Sequence, residues 1–309
     1  MHIEQWKKYF EKYRKAAISI SVAIAFVIGS LGYCIWQIQS LRAQLYSRGG
    51  SLSREVSASW AGKKWASYGD SITEYGGWQE YVTEYFGFAE HLNCGIENTT
   101  FTYCDWEWYA NADGSYNSRY DCQGVMEAPA GTTVHELYLA SEDRISTQLP
   151  DDLDLVVIMG GSNDADYNIS APIGDLSYPL DETTFMGAVA LTVIRVQRQC
   201  PDALVVLASP LSGRGPQVGD PEGVQQAYQT DGERNRLWLT TQDYARAVKE
   251  VAEAFSIPYI DVFGSTGINP FNRSQYIADN VHPNEEGKKA IARLMIGMLD
   301  DLKPVERKP

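Results

Sequence analysis

Asp279 and His282 stand three residues apart near the end of the chain. A carboxylate at this spacing can accept a hydrogen bond from Nδ1 of the imidazole and leave Nε2 to exchange a proton. The chain has four histidines. His2 precedes an apolar segment, His91 lies in a predicted strand and His135 in a predicted loop, where a structural role is the usual one. We therefore expect His282 to be a general base and Asp279 the group that orients it.

A nucleophile for this base is predicted in the segment YGDSIT, residues 68–73. Its Gly, Asp and Ser favour a turn, and the preceding stretch KKWAS is typical of a strand. A serine on a strand-to-helix turn is well presented, but its hydroxyl is a poor nucleophile until a base removes the proton. Ser71 and His282 would together meet that need.

The elements that must position these residues alternate between short apolar runs and amphipathic helical segments. This alternation predicts βα units on a mostly parallel sheet. The predicted strands cover residues 63–69, 90–96, 153–161, 203–210 and 257–263. The predicted helices cover residues 77–87, 141–149, 183–200, 241–255 and 284–302. Two long connections, 100–138 and 210–236, interrupt the pattern, and loops of that length are usually functional or mobile.

Polar segments follow the predicted strands where the carboxyl ends of those strands would meet. The four segments are Gly69–Ser71, Asn93–Thr100, Gly161–Asp164 and Asp279–Pro283. Doubly wound sheets bind their ligands at this edge. Any one segment could be an ordinary turn, but together they offer a nucleophile, backbone donors, a side-chain amide and a base.

The blocks YGDSIT, NCGIENTT, GGSND and DNVHP resemble, in the same order, the four signature blocks of the SGNH hydrolases, also called GDSL-type lipases and esterases. The resemblance covers roughly residues 63–302. It implies a flavodoxin-like three-layer α/β/α sandwich with a mostly parallel sheet, and hydrolysis of an ester or thioester through an acyl-enzyme. It also implies that Ser71 is the nucleophile, His282 the base and Asp279 the orienting carboxylate. The Ser71 backbone N–H and the Asn163 side-chain amide would be oxyanion donors.

One position departs from the family pattern. Family members usually have a glycine three residues beyond the N-x-G of the second block, and its backbone N–H completes the oxyanion hole. Here that position is Asn98, a residue type that tolerates the left-handed backbone better than most. Gly95, the glycine of N-x-G, is the alternative third donor. Asp70 and Asp164 are expected to be structural, holding the turn and neighbouring amides.

The start of the chain differs in composition from the rest. Residues 1–15 carry five basic side chains, and no charged residue occurs between Lys15 and Arg42. That apolar stretch exceeds the roughly 20 residues that cross a bilayer as a helix, and its basic flank places the N-terminus inside. A cleaved signal peptide is the alternative. We expect a cytoplasmic segment, a single-pass signal anchor in the cell membrane, a stalk, an extracytoplasmic hydrolase domain and a tail, at 1–15, 16–38, 39–62, 63–302 and 303–309.

The charge of the chain argues against some partners. Its formal net charge is −14 at pH 7, and no basic patch with interleaved aromatic residues occurs beyond residue 15. Such a surface repels phosphate backbones, so no nucleic-acid partner is expected. No cluster of His, Cys and Asp residues has the spacing of metal ligands. We predict neither a metal nor another cofactor.

The cysteines leave two alternatives open. Cys34 lies in the predicted anchor, and Cys94, Cys104, Cys122 and Cys200 lie in the part expected outside the cell. An oxidising exterior permits disulfides, and a Cys104–Cys122 bridge would close an aromatic-rich loop. Free buried thiols are the alternative.

That loop, FTYCDWEWYANADGSYNSRYDCQG at residues 101–124, bears on the substrate. If Trp106, Trp108 and Tyr109 line the cleft, they suit the apolar C–H faces of sugar rings. This favours an esterase that removes O-acetyl or similar short acyl groups from a polysaccharide. If the aromatic side chains instead pack the loop onto the domain, they say nothing about substrate. The rival hypotheses are a lipase, lysophospholipase or thioesterase of the same fold, and a non-catalytic surface protein that binds carbohydrate.

Overall fold

A computed structural model describes the chain from Ser59 onward in separate stretches. These are residues 59–103, 138–166, 169–212, 234–269, 271–279 and 281–306, with the backbone alone of five short strands between 108 and 135. The predicted cytoplasmic segment, the anchor and most of the stalk lie outside these stretches. Within them, no helix has both the length and the apolar character that a bilayer span requires.

The described elements follow the predicted alternation of strands and helices. The strands are β1 (Lys64–Gly69), β2 (Glu90–Gly95), β3 (Trp108–Ala110), β4 (Tyr116–Ser118), β5 (Tyr120–Asp121), β6 (Gly124–Val125), β7 (Val134–His135), β8 (Leu155–Met159), β9 (Leu204–Ala208) and β10 (Tyr259–Ile260). The helices are α1 (Ser71–Glu74), α2 (Trp78–Phe86), α3 (Glu142–Gln148), α4 (Phe185–Gln199), α5 (Thr241–Phe255), α6 (Val262–Ser265) and α7 (Glu285–Leu299), with a 3₁₀ turn at Arg273–Gln275.

Five strands form one parallel sheet in the order β10-β9-β8-β1-β2. Counted along the sheet strands alone, this is the 2-1-3-4-5 order of flavodoxin-like folds, and the strand order reverses between β1 and β8. Gly69 at the end of β1 is in register with Gly95 of β2 and with Met159 of β8. The loops after these three strands therefore leave the sheet at one level.

Helices cover both faces of this sheet, which confirms the three-layer α/β/α architecture. One core contains Tyr68 and Ile158 with residues of α4 and α5. The other contains Trp65 and Val157 with residues of α2 and α7. Alternate residues of β1 and β8 enter opposite cores because successive side chains of a strand point to opposite faces.

The structure differs from the sequence prediction in three places. The strand expected over 257–263 has only two residues, because the Asp261 carboxylate accepts a hydrogen bond from Gly264 N–H at 2.9 Å and begins α6. The long connection at 100–138 contains short antiparallel strands rather than irregular loop alone. Trp60, placed in the stalk, is fully buried and donates to the Leu302 carbonyl at 2.9 Å. The packed fold therefore begins before residue 63.

Two of the cysteines are buried free thiols. Cys94 donates to the Gln148 carbonyl at 3.5 Å and Cys200 to the Pro150 carbonyl at 3.3 Å. Burial raises the pKa of Cys94 to about 11 and that of Cys200 to about 12. For this pair the free-thiol alternative holds, whereas Cys104 and Cys122 lie outside the described residues.

Candidate active site

The turn after β1 places Ser71 at the first position of α1. Asp70 is the N-cap of this helix, and its Oδ1 accepts a hydrogen bond from Ile72 N–H at 3.0 Å, the usual role of an aspartate there. A side chain at Gly69 would meet Thr73 Oγ1 at 2.2 Å and the Met159 carbonyl oxygen at 2.3 Å. Only glycine therefore lets the chain turn this tightly, and Ser71 is left 8% exposed.

A second tight turn, between the 3₁₀ turn and α7, presents the histidine. Ile277 and Pro283 form an isolated antiparallel bridge, and Ala278 N–H donates to the His282 carbonyl at 2.8 Å. Within the turn, Asp279 Oδ1 accepts from the N–H groups of Val281 and His282, each at 2.7 Å. Backbone donors therefore hold the Asp279 carboxylate in place independently of its contact with the imidazole.

Ser71, His282 and Asp279 form one continuous hydrogen-bonded chain. His282 Nε2 lies 2.9 Å from Ser71 Oγ, and His282 Nδ1 lies 2.8 Å from Asp279 Oδ2. With Nδ1–H donated to the carboxylate, Nε2 is the acceptor for the serine hydroxyl. Partial burial alone would raise the pKa of Asp279, but its hydrogen bonds to the His282 backbone and imidazole and to Val281 N–H lower it to about 2. The Asp279 carboxylate is therefore charged at neutral pH.

The residues expected to bind an oxyanion lie at the ends of β8 and β2. Asn163 Nδ2 donates to the Thr99 carbonyl at 2.8 Å, which uses one of its two hydrogens. Asn98 has a positive φ of 59°, in the left-handed region that glycine adopts most easily. Gly95 N–H is already donated to Asn93 Oδ1 at 3.1 Å. Of the two alternatives for the third donor, the geometry favours Asn98.

Asp164 and Asp70 have the structural contacts expected of them. Asp164 is fully buried and accepts from Phe101 N–H at 2.9 Å, Thr102 N–H at 3.0 Å and the Thr102 hydroxyl at 2.8 Å. Burial raises the pKa of each aspartate to about 6. Asp164 therefore fastens the residues after the second block to the end of β8.

Arg144 of α3 supports the same edge of the sheet, a role that the sequence does not predict. This fully buried side chain donates through Nη2 to the carbonyls of Gly69 at 2.7 Å and Cys94 at 2.9 Å. Its guanidinium carbon also lies 4.5 Å from the centre of the Tyr68 ring. An arginine in a short helix is usually exposed, so nothing in the sequence distinguished this one. It binds the ends of β1 and β2 beside the nucleophile.

Tyr75, which directly follows α1, is a second residue whose role the sequence does not predict. Its ring lies edge-on to the His282 imidazole, with ring centres 4.9 Å apart. Tyrosines are common in this chain, which has 19, and no spacing rule links position 75 to position 282. Only the packing of α1 against the histidine turn brings them together.

A second histidine, His91 of β2, bonds to a different serine. His91 Nε2 lies 3.0 Å from Ser67 Oγ, and its ring packs against Trp65 with centres 4.3 Å apart and the ring planes tilted by 35°. Ser67 is fully buried, and desolvation by burial lowers the pKa of His91 to about 4. This is the structural histidine that the sequence predicted.

The structure does not describe the side chains of the aromatic residues proposed to bind substrate. Trp106 lies outside the described residues, and Trp108 and Tyr109 belong to β3, which pairs with β4 and β7, but their side chains are not described. His135 lies in β7. Among the described residues, no group of three or more His, Cys, Asp or Glu side chains is placed to hold a metal ion.

The chain is similar to a known protein family in sequence and to solved structures in fold. A model of the GDSL-like Lipase/Acylhydrolase family matches residues 67–290. A protein from Lactobacillus plantarum has a similar structure, with a TM-score of 0.56 and 23% sequence identity over 78% of this chain and 97% of that one. A protein from Chitinophaga pinensis described as a possible lipase has a TM-score of 0.50 and 16% identity over 76% and 96%. At these identities the likeness shows a shared fold. No curated protein matches the chain.

Proposed function

The chain belongs to the GDSL-like lipase/acylhydrolase family, and we propose that it hydrolyses carboxylic esters through a Ser71–His282–Asp279 triad and an acyl-enzyme. At the level of the family it is a carboxylic ester hydrolase. The observation that carries the serine mechanism is the continuous chain of hydrogen bonds, 2.9 Å from Ser71 to His282 and 2.8 Å from His282 to Asp279. These are distances at which protons move between such groups.

In the first half of the reaction, Ser71 is acylated. His282 Nε2 takes the proton from the Ser71 hydroxyl while Oγ bonds to the ester carbonyl carbon, and the carbonyl oxygen becomes an oxyanion. The imidazolium is stabilised by the Asp279 carboxylate, which stays charged. The proton then passes from Nε2 to the alcohol oxygen, the bond between that oxygen and the acyl carbon breaks, and the alcohol departs.

In the second half, water replaces the alcohol. His282 Nε2 takes a proton from the water, and the water oxygen bonds to the acyl carbon. Collapse of the second oxyanion breaks the bond to Ser71 Oγ, which regains its proton from Nε2. One ester and one water have then become one carboxylic acid and one alcohol, and the enzyme is unchanged.

The oxyanion would be bound by three donors. They are the Ser71 N–H at the start of α1, the second N–H of the Asn163 amide and the N–H of left-handed Asn98. Removing one preorganised donor of this kind costs roughly 10²–10³ in kcat. The Asn163–Thr99 hydrogen bond orients the amide before substrate arrives.

For the substrate we propose a short acyl ester, of the O-acetyl type, on a carbohydrate. The support is the aromatic and polar composition of residues 101–124 beside the second block, including Trp106, Trp108 and Tyr109. The proposed location is the outer face of the cell membrane, with the enzyme held by the apolar segment 16–38. Support for that location comes from the length of the segment and its basic flank.

The test combines active-site labelling with a substrate panel. Wild type should react with a fluorophosphonate probe, and Ser71→Ala should not; equal labelling of both, or of neither, would overturn the serine mechanism. Acetylated xylan and p-nitrophenyl acetate should then be cleaved faster than p-nitrophenyl palmitate and lysophosphatidylcholine. Faster cleavage of the long-chain esters would replace the carbohydrate proposal with a lipase or lysophospholipase. Glycan binding without labelling or turnover would indicate a non-catalytic protein.

A further inference from the structure

The last turn of α1 and the residue after it contact the loop that carries Asn98. Glu97 N–H donates to the Glu74 carboxylate, and the Tyr75 hydroxyl donates to the Glu97 carboxylate. Glu74 and Tyr75, three and four residues after Ser71, thus both contact Glu97 of the second block. Asn98, the next residue along, has the left-handed backbone.

The same tyrosine contacts the general base. Its ring meets the imidazole of His282 at an interplanar angle of 64°, with ring centres 4.9 Å apart, a favourable edge-to-face arrangement. Tyr75 is 50% exposed, so its position is set by these two contacts rather than by enclosure. The Tyr75 side chain therefore contacts His282 with its ring and, with its hydroxyl, the loop of residues 96–100 that carries Asn98, here called the oxyanion loop.

Asn98 gives this contact its importance. Asparagine tolerates this conformation better than most residues, but a glycine adopts it at no steric cost. Contacts that hold the neighbouring residues therefore help to keep Asn98 in place. The family resemblance implies a glycine at this position, and this chain has an asparagine. Glu97 is held through both its backbone and its side chain, and Thr99, on the other side of Asn98, is held by Asn163. Glu97 is the one of these two neighbours that Tyr75 contacts.

We propose that Tyr75 is a positioning residue. Through its hydrogen bond to Glu97, it would hold the oxyanion loop at the correct position relative to Ser71 and His282. The proposal rests on the proposed function, since it concerns the third donor and the base of that reaction. The hydrogen bond to Glu97, followed by burial, raises the pKa of Tyr75 to about 12. The hydroxyl therefore remains a donor at any pH at which the enzyme would work.

The chain contains a matched control in Tyr81 of α2. Its hydroxyl donates to Glu285 at 2.6 Å, also at the surface and also between a tyrosine and a glutamate. Neither partner touches Ser71, His282 or Asn98 in the structure. Removing this second link reports the general cost of losing a tyrosine–glutamate hydrogen bond.

The experiment is a double-mutant cycle of Tyr75→Phe and Glu97→Met, with Tyr81→Phe and Glu285→Met as the control cycle. Each is assayed on p-nitrophenyl acetate, with thermal melting as the check on folding. Tyr75→Phe keeps the ring beside His282 and loses only the link to Glu97. We expect a fall in kcat of about 10-fold with KM within 2-fold, since misplacing a donor by less than an ångström has effects of this order. The double variant should be no slower than the slower single variant, and the control cycle should stay within 2-fold of wild type.

Three outcomes would overturn the proposal. They are an unchanged kcat in Tyr75→Phe, additive losses in the Tyr75–Glu97 cycle, or equal losses in the control cycle. Fluorophosphonate labelling separates this failure from failure of the proposed function. If only the positioning role is wrong, wild type and Tyr75→Phe label at the same rate, whereas if the serine mechanism is wrong, neither labels. Tyr75→Leu, which also removes the ring, should lower kcat further than Tyr75→Phe, and equal kcat would contradict the contact with His282.

Discussion

The described part of the molecule holds two serine–histidine hydrogen bonds of nearly equal length. Ser71 and His282 are 2.9 Å apart at the carboxyl edge of the sheet, and Ser67 and His91 are 3.0 Å apart within β1 and β2. The two serines lie four positions apart in the sequence. By distance alone, either pair could be a nucleophile and its base.

The groups around the two pairs differ. His282 Nδ1 lies 2.8 Å from the ionised Asp279 carboxylate, and the His282 side chain is 28% exposed. Ser67, by contrast, is completely buried and already accepts a hydrogen bond from Gln79 at 3.2 Å. His91 packs against Trp65, and burial lowers its pKa to about 4. No substrate could reach Ser67, and the cation that a proton transfer would create on His91 is disfavoured by its surroundings.

A serine–histidine distance therefore identifies a catalytic pair only together with access and a third group. A strand-interior serine points its side chain into a packed core, whereas a serine just beyond the strand leaves the sheet with the turning chain. The position relative to the strand end decides the outcome.

Replacing each histidine by glutamine should separate the pairs most sharply. His282→Gln removes the base and should lower kcat on p-nitrophenyl acetate by about 10⁴–10⁶-fold, with little change in melting temperature because the residue lies in a turn. His91→Gln can still bond to Ser67 and should keep kcat within about 2-fold. Comparable activity losses in the two variants would show that the contrast is wrong.

Asp279→Asn tests the third group. The amide cannot stabilise an imidazolium and favours the wrong tautomer, so kcat should fall by about 10³–10⁴-fold. The control is Asp181→Asn, because Asp181 also accepts backbone and side-chain hydrogen bonds from a residue two positions on, at 2.9 Å and 2.7 Å from Thr183. A similar loss in the control, or none in Asp279→Asn, would remove the carboxylate from the mechanism.

The smallest effect concerns stability and belongs to His91. Its folded-state pKa of about 4 lies below the ordinary value near 6.5, so the unfolded chain binds a proton that the folded chain does not. Above about pH 6.5 His91 is neutral in both states and does not change the free energy of unfolding. As the pH falls from 6.5 towards 4, protonation of the unfolded chain lowers the free energy of unfolding by about 1–3 kcal/mol in total. Urea unfolding of wild type and His91→Gln at pH 7 and 4.5 should show the wild type losing more. Identical losses would mean that His91 is solvated in the folded state.

Much of the site could be predicted because it depends on local spacing. Asp279 and His282 interact within a single turn, and Ser71 and Asn163 follow directly after apolar strands that can be recognised from composition. Parallel strands end at a common edge, so residues after different strands were expected to meet. The register of Gly69 with Gly95 and Met159 bears this out.

The supporting residues could not be predicted, since their roles depend on contacts between distant segments. Arg144 lies 75 residues from Gly69, whose carbonyl it binds, and Tyr75 lies far along the chain from His282. Neither residue type is unusual, and no periodicity links the partners. The end of β10 was likewise misplaced within the predicted strand 257–263, because it is set by the side-chain hydrogen bond of Asp261 rather than by hydropathy.

By itself, the sequence determined the order of the elements, the residues presented at the ends of the strands, and the Asp279–His282 pair. These follow from short-range spacing and from the apolar periodicity of strands and helices. Only the tertiary structure decided which serine meets which histidine, and which side chains hold the edge of the sheet. A hydrogen bond forms between whichever groups packing brings within about 3 Å, and sequence separation carries no information about that distance.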